Sequence, residues 1–194
     1  MPNRGVAWRG WVAVAHLGPS AACTAFTTLS AWAAARSTAP PHWRRRTLLA
    51  GCAMALAQVS TGSLNDVADR EADRLHQPYK PIAKGQVSTG AALAFALSTG
   101  FGSLLLALQC GRGAAKVMAV GLASGWAYDL GLRRTPLSGL PFLVGIATVP
   151  LLGPSALQVP PVRPRMLMAM AGLLGVGLHL ANGGPDVVRD RAAG

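Results

Sequence analysis

Long uncharged runs recur along this sequence, separated by short polar connectors. Residues 10–35, 47–65, 86–111, 135–162 and 166–185 contain no Lys, Arg, Asp or Glu. A membrane-spanning helix needs about 20 mainly apolar residues, so all five runs qualify by length. A sixth run, 117–132, is shorter and carries Asp129. None alternates apolar with polar positions as the strands of a membrane barrel do. The first run follows Arg4 and Arg9 but exceeds the roughly 7–15 apolar residues of a cleaved signal. It therefore reads as the first membrane helix. The pattern predicts an all-α, polytopic bundle of about six transmembrane helices, forming a single domain over residues 1–194.

Composition agrees. Of 194 residues, 51% are hydrophobic and 13% charged, against about 25% charged in soluble domains. The 23 glycines suit close helix packing in lipid. A net charge of +11 does not imply a nucleic-acid partner, because the basic residues are spread over connectors rather than gathered on one element. The densest group, Arg44, Arg45 and Arg46, reads as an anchor at the membrane edge. Cys23, Cys52 and Cys110 lie in separate apolar runs without metal-ligand spacing and are expected to be packing residues. Trp8, Trp11 and Trp43 sit near run ends, where interface anchors belong.

The acids carry the chemistry. There are seven, and each lies at the end of an apolar run: Asp66, Asp69, Glu71 and Asp73 in one cluster, Asp186 and Asp190 in another, and Asp129 alone. The connectors at 36–46, 112–116 and 163–165 hold none. Carboxylates near a membrane are costly and tend to mark function. The two clusters share one spacing, N-x-x-x-D-x-x-x-D, at Asn65/Asp69/Asp73 and at Asn182/Asp186/Asp190. A period of four places each set along one helix face. Brought together across a bundle, these carboxylates would repel one another unless cations lay between them. Hard oxygen donors suit Mg²⁺, which binds through one or two carboxylates plus substrate phosphates. Arg74, Lys80, Lys84, Arg133 and Arg134 stand nearby to balance a diphosphate. The plainer reading of any one of them is a topology signal.

At these residues the chain resembles the UbiA superfamily of intramembrane prenyltransferases. The run N-D-V-A-D-R-E-A-D with its tail Q-P-Y-K-P-I-A-K-G (77–85) resembles the family's first Asp motif. The run Y-D-L-G-L-R-R-T from Tyr128 resembles a second motif, with Arg133 where Lys is common. The segment from Asn182 resembles the second Asp motif. Here Arg189 stands where an acid is common, leaving two carboxylates. The family fold is a nine-helix bundle around a cavity, with the Asp motifs on cap loops over its mouth. This chain has room for six helices, so the last three are expected to be missing.

The resemblance implies Mg²⁺-dependent transfer of a prenyl group from a prenyl diphosphate to an acceptor, typically aromatic, within the lipid bilayer. Asp66, Asp69 and Asp73 would bind one Mg²⁺, and Asp186 and Asp190 another. Asp69 and Asp186 would be central to catalysis, and Tyr128 would face the cation or acceptor with its ring. Lys80, Arg133 and Arg134 would hold phosphate oxygens, with Asn65 and Asn182 orienting ligands. His16 and His179 are further candidates near the acceptor, each equally readable as a helix histidine bonded to a carbonyl. With six helices, the N-terminus and all three motifs fall on one face. Ten Lys and Arg there against eight opposite do not orient the protein; the resemblance places the motif face in the cytoplasm of a bacterial cell. Two rivals share the fold: a terpene cyclase without an acceptor, and a non-catalytic remnant. A cation transporter would need its acids at mid-membrane, not at run ends.

Overall fold

The computed structural model describes residues 10–11, 13–14 and 17–192, the side chains of 17, 19 and 182–192 excepted. Seven α-helices are described: α1 (Leu17–Thr38), α2 (Trp43–Ala68), α3 (Arg70–His76), α4 (Thr89–Cys110), α5 (Arg112–Leu130), α6 (Leu140–Leu157) and α7 (Pro164–Ala192). A 3₁₀ turn, Leu132–Arg134, follows α5. Six of the described helices are long and α3 is a seven-residue stub, in keeping with the expected all-α bundle. There is no strand among the described residues. Among the described residues, four helices are long and apolar enough to cross a membrane: Trp43–Ala68, Thr89–Cys110, Leu140–Leu157 and Pro164–Ala181. The short run at 117–132 is part of a longer helix. Arg112 and Lys116 extend α5 at its start, because their long side chains reach past the apolar surface to water.

Helix α2 is the hub. It packs against α1, α4, α5 and α6, while α7 lies on α6. Small residues allow the close approach. Ala50, Ala53, Ala107, Ala114 and Ala156 are buried in one cluster. At Gly100 a Cβ would stand 2.5 Å from Trp126 Cζ2 and 2.8 Å from Ser60 Oγ. Polar groups inside the bundle bond across helices, since lipid offers them no partner. Trp126 Nε1 donates to Ser60 Oγ at 3.0 Å, and Ser60 Oγ donates to the Ala96 carbonyl at 2.7 Å.

The motif segments are more helical than the family pattern implies. Residues 65–73 form no loop: α2 runs to Ala68, Asp69 marks a break, and α3 resumes at Arg70. The amides of Asp69 and Asp73 still bond the carbonyls of Asn65 and Asp69, at 2.9 and 2.8 Å. With no Gly or Pro between 65 and 76, nothing forces the chain out of a helical path. The second Asp segment lies within α7, whose backbone continues through Gly183, Gly184 and Pro185.

Other expectations are corrected by packing. Trp11, expected near a membrane interface, meets Phe95 of α4 edge to face with centroids 5.1 Å apart. Trp43 does begin α2, under Arg44. Trp8 lies outside the described residues. Cys110 is buried and Cys23 packs on the same core, but Cys52 is exposed on the bundle's outer side.

Candidate active site

The carboxylate end of α2 separates into two faces. Asp66 and Asp73 are seven residues apart, close to two helical turns, and both are buried. Lys80 lies between them, its Nζ 3.0 Å from Asp66 Oδ1 and 2.9 Å from Asp73 Oδ2. The connector holding Lys80 is anchored by Ile82 and Val87, which bury against Val67, Ala92 and Val14. Burial would lower the lysine's pKa. The hydrogen bond to Asp73 and the charge of Asp66 outweigh it and hold the ammonium above the ordinary lysine value.

Asn65 and Asp69, four residues apart, form the second face and line a cavity. Asp69 pairs with the Arg133 guanidinium. Gly131, at φ 152°, ends α5 in a conformation that side chains resist. The turn it permits brings Arg133 back over Asp69. Burial opposes the charge on Arg133, but the bond to Asp69 and the nearby Asp129 raise its pKa above the ordinary arginine value. Asn65 Nδ2 donates to Asp129 Oδ1 at 3.1 Å. Asp129, isolated in the sequence, is thus buried in the same site.

The cavity has a volume of about 610 Å³ and runs down the bundle among α2, α5 and α6. Its mouth carries Asn65, Asp69, Lys80, Tyr128 and Asp129. Below them stand Gln58 and Thr61, then an apolar end of Met54, Met118, Leu122, Val149 and Leu152. A second space of about 370 Å³ shares Asn65, Asp69 and Tyr128 and adds Arg133 and Arg134. A charged, cationic mouth therefore opens onto an apolar interior. One wall is aromatic: Tyr128 meets Phe142 edge to face at 5.0 Å, and His179 lies 5.9 Å from Tyr128 and 5.2 Å from Phe142. His179 Nε2 is 3.1 Å from Ser138 Oγ.

The structure therefore gathers Asn65, Asp66, Asp69, Asp73, Lys80, Tyr128, Arg133, Arg134 and, beside them, His179. The side chains of Asn182, Asp186 and Asp190, and all of His16, lie outside the described residues. Gln58, Thr61, Phe142 and Asp129 belong to the site without having been singled out as site residues. Gln58 and Thr61 lie seven and four residues before Asn65, so the helical period would have found them.

The donors fit Mg²⁺ in one respect. Among the described residues, no three His, Cys, Asp or Glu groups gather as a metal cluster, so these residues form no all-protein cage. Mg²⁺ needs only one or two carboxylates when phosphates and waters complete its octahedron. Asp69, with Asp129 and the Asn65 amide beside it, supplies that oxygen set at the cavity mouth.

Comparison with known proteins places these features. The UbiA prenyltransferase family model matches residues 23–194. Digeranylgeranylglyceryl phosphate synthase of Halobacterium salinarum is 28% identical over 186 residues, 96% of this chain and 66% of that protein. The bacteriochlorophyll synthase 33 kDa chain of Rhodobacter capsulatus is 33% identical over 85 residues, 43% of this chain and 28% of that protein. A solved structure concerning digeranylgeranylglyceryl phosphate synthase in membranes superposes with a TM-score of 0.82 at 15% identity, covering 96% of this chain and 66% of its own. At that identity the likeness speaks for the fold. The chain spans 66% of the length of the Halobacterium relative.

Proposed function

Because the chain belongs to the UbiA prenyltransferase family and is an integral membrane protein with four apolar helices long enough to span a bilayer, we propose that it binds a prenyl diphosphate at the cavity mouth and transfers the prenyl group to a lipophilic acceptor. One observation carries this reading: Asn65, Asp69 and Arg133 stand together where a charged mouth meets a deep apolar cavity. A prenyl diphosphate has the same division, with a polyanionic head and a hydrocarbon tail.

Mg²⁺ bound at Asp69, with Asp129 and the Asn65 amide beside it and Asp186 and Asp190 as further donors, would neutralise the head and stabilise its departure; Asp66 and Asp73, expected as ligands of the same ion, face away and hold Lys80 instead. Arg133 and Arg134 offer charged donors to the phosphate oxygens, and Lys80 reaches the same mouth. Breaking the C–O bond leaves an allylic cation. The apolar walls keep water from it, and the Tyr128 ring offers its π face. The acceptor attacks the cation and releases a proton. The Tyr128–Phe142 wall favours a flat, aromatic acceptor. The motif face would lie in the cytoplasm, as the resemblance to the family implies.

The test is Mg²⁺-dependent consumption of labelled geranylgeranyl diphosphate by the purified chain, with and without an aromatic acceptor. Asp69→Asn should reduce turnover by about a hundredfold or more. Unchanged turnover in that variant would refute the site. Products formed without an acceptor would replace transfer with cyclisation.

A further inference from the structure

The end of the bundle opposite the candidate site, where α1, α4 and α6 finish and α2, α5 and α7 begin, carries only positive charge. The turn from α1 to α2 holds Arg36, Arg44, Arg45 and Arg46, and the connectors at 112–116 and 163–165 add four more cations, eight in all. None of the seven acids lies in these segments. At the motif end most of the described cations are paired: Arg70 and Arg74 with Glu71, Lys80 with Asp66 and Asp73, and Arg133 with Asp69. Among the described residues, none of the eight cations at the opposite end forms an ion pair. Seven of them are exposed, and Arg46 is half-buried.

Contacts between the helix ends gather these cations. Arg45 Nη2 donates to Gln109 Oε1 at 3.0 Å, from the start of α2 to the end of α4. Arg46 Nη1 donates to the Ala156 carbonyl at 3.2 Å, at the end of α6. Trp43 packs on the cluster of Ala31, Ala35 and Leu157, which joins α1, α2 and α6. The α1–α2 turn is stiff. Pro40 and Pro41 have fixed φ angles and stand between Ala39 and His42, which are left-handed at φ 42° and 56°. Rings hold two of the guanidiniums: Arg36 Cζ lies 5.0 Å from the Trp32 centroid, and Arg44 Cζ lies 5.4 Å from the Trp43 centroid. A ring takes the face of a guanidinium and leaves its in-plane N–H donors for other acceptors. Arginines fixed in this way lose little freedom when they bind.

We propose that this end of the bundle binds anionic phospholipid headgroups, with Arg36, Arg44 and Arg45 of the α1–α2 turn as the principal phosphate donors. The membrane-spanning helices bring these residues to the level of the headgroups, where Trp32 and Trp43 also belong. A phosphodiester offers two oxygens that match the guanidinium fork. A soluble acidic protein would need arginines that project past the headgroups, whereas Arg36 and Arg44 lie back on tryptophan rings. Each cation at the surface of an anionic leaflet raises affinity about fivefold. None of the three arginines lines the cavity, so this lipid site is independent of the reaction proposed above.

The experiment is native mass spectrometry of the purified chain, released from detergent micelles doped with phosphatidylglycerol or phosphatidylcholine. The two lipids share a phosphodiester and differ in net charge. Wild type should bind phosphatidylglycerol about tenfold or more tighter than phosphatidylcholine. That preference should shrink as ammonium acetate is raised from about 0.05 to about 0.5 M. Arg36→Gln, Arg44→Gln and Arg45→Gln together should abolish it. Lysine at the same three positions keeps the charge but not the planar fork, and should retain a smaller preference. If the triple glutamine variant does not purify folded, Arg36→Gln with Arg44→Gln serves instead, because both side chains are exposed and the bond from Arg45 to Gln109 remains. It should weaken phosphatidylglycerol binding about fivefold for each charge removed. Equal binding of the two lipids by wild type, a preference that survives high salt, or an unchanged preference in the glutamine variants would overturn the proposal.

Discussion

Replacing Lys80 with methionine tests the arrangement at the cavity mouth. The substitution keeps most of the side-chain volume and removes one cation from between two buried carboxylates, 3.0 and 2.9 Å away. Asp66 and Asp73 expose only 3% and 5% of their side chains, so water cannot replace the ammonium. Removing one partner of a buried ion pair costs about 3–5 kcal/mol. Lys80 keeps 16% of its side chain exposed, which points to the lower end, about 3 kcal/mol. That is roughly a hundredfold in the ratio of folded to unfolded protein.

The assay is reversible unfolding in mixed detergent micelles. Lys80→Met should lose about 3 kcal/mol, whereas the triple change Asp66→Asn, Lys80→Met and Asp73→Asn should recover most of it, because no charge is left stranded. Mg²⁺ should stabilise Lys80→Met more than wild type, since its two carboxylates then lack a cation. The pH dependence has a definite sign. The folded pKa of Lys80 is raised, so its contribution is complete below the ordinary lysine value of about 10.4 and is lost as pH climbs through the folded value. Wild type should show that alkaline loss and Lys80→Met should lack it. A loss below about 1 kcal/mol for the single variant, or a triple variant as unstable as the single one, would refute the buried-triad account.

Three further outcomes are expected. Asp129→Asn should lower the binding of Mg²⁺ with inorganic diphosphate about tenfold, because it changes the partner that orients Asn65; titration calorimetry reads it, and unchanged binding would remove Asp129 from the site. Arg133→Gln should lower both diphosphate affinity and unfolding stability, since Arg133 pairs with Asp69, whereas Arg134→Gln, at an exposed position, should lower only affinity. Ser60→Ala should cost about 1 kcal/mol in detergent unfolding, because it leaves Trp126 Nε1 without its partner.

The helices and the grouping of polar residues at the cavity mouth were legible for different reasons. Uncharged length is a local property, so the runs at 47–65, 86–111, 135–162 and 166–185 announced their helices directly. The i+4 spacing of Asn65 and Asp69 placed both on the cavity face as expected. The same rule failed for Asp73, which turns away with Asp66, because helical residues seven apart share a face as well. The sequence held both periods, and only the position of Lys80 decided between them. That position depends on Ile82 and Val87 burying against Val67, a contact between elements that no local spacing encodes. Asp129 was hidden for a related reason. The nearest polar side chains along the sequence are Tyr128 and Arg133, but Asp129 accepts a bond from Asn65, on another helix. A lone carboxylate at the end of an apolar run is therefore best read by asking which polar residue faces it across the bundle.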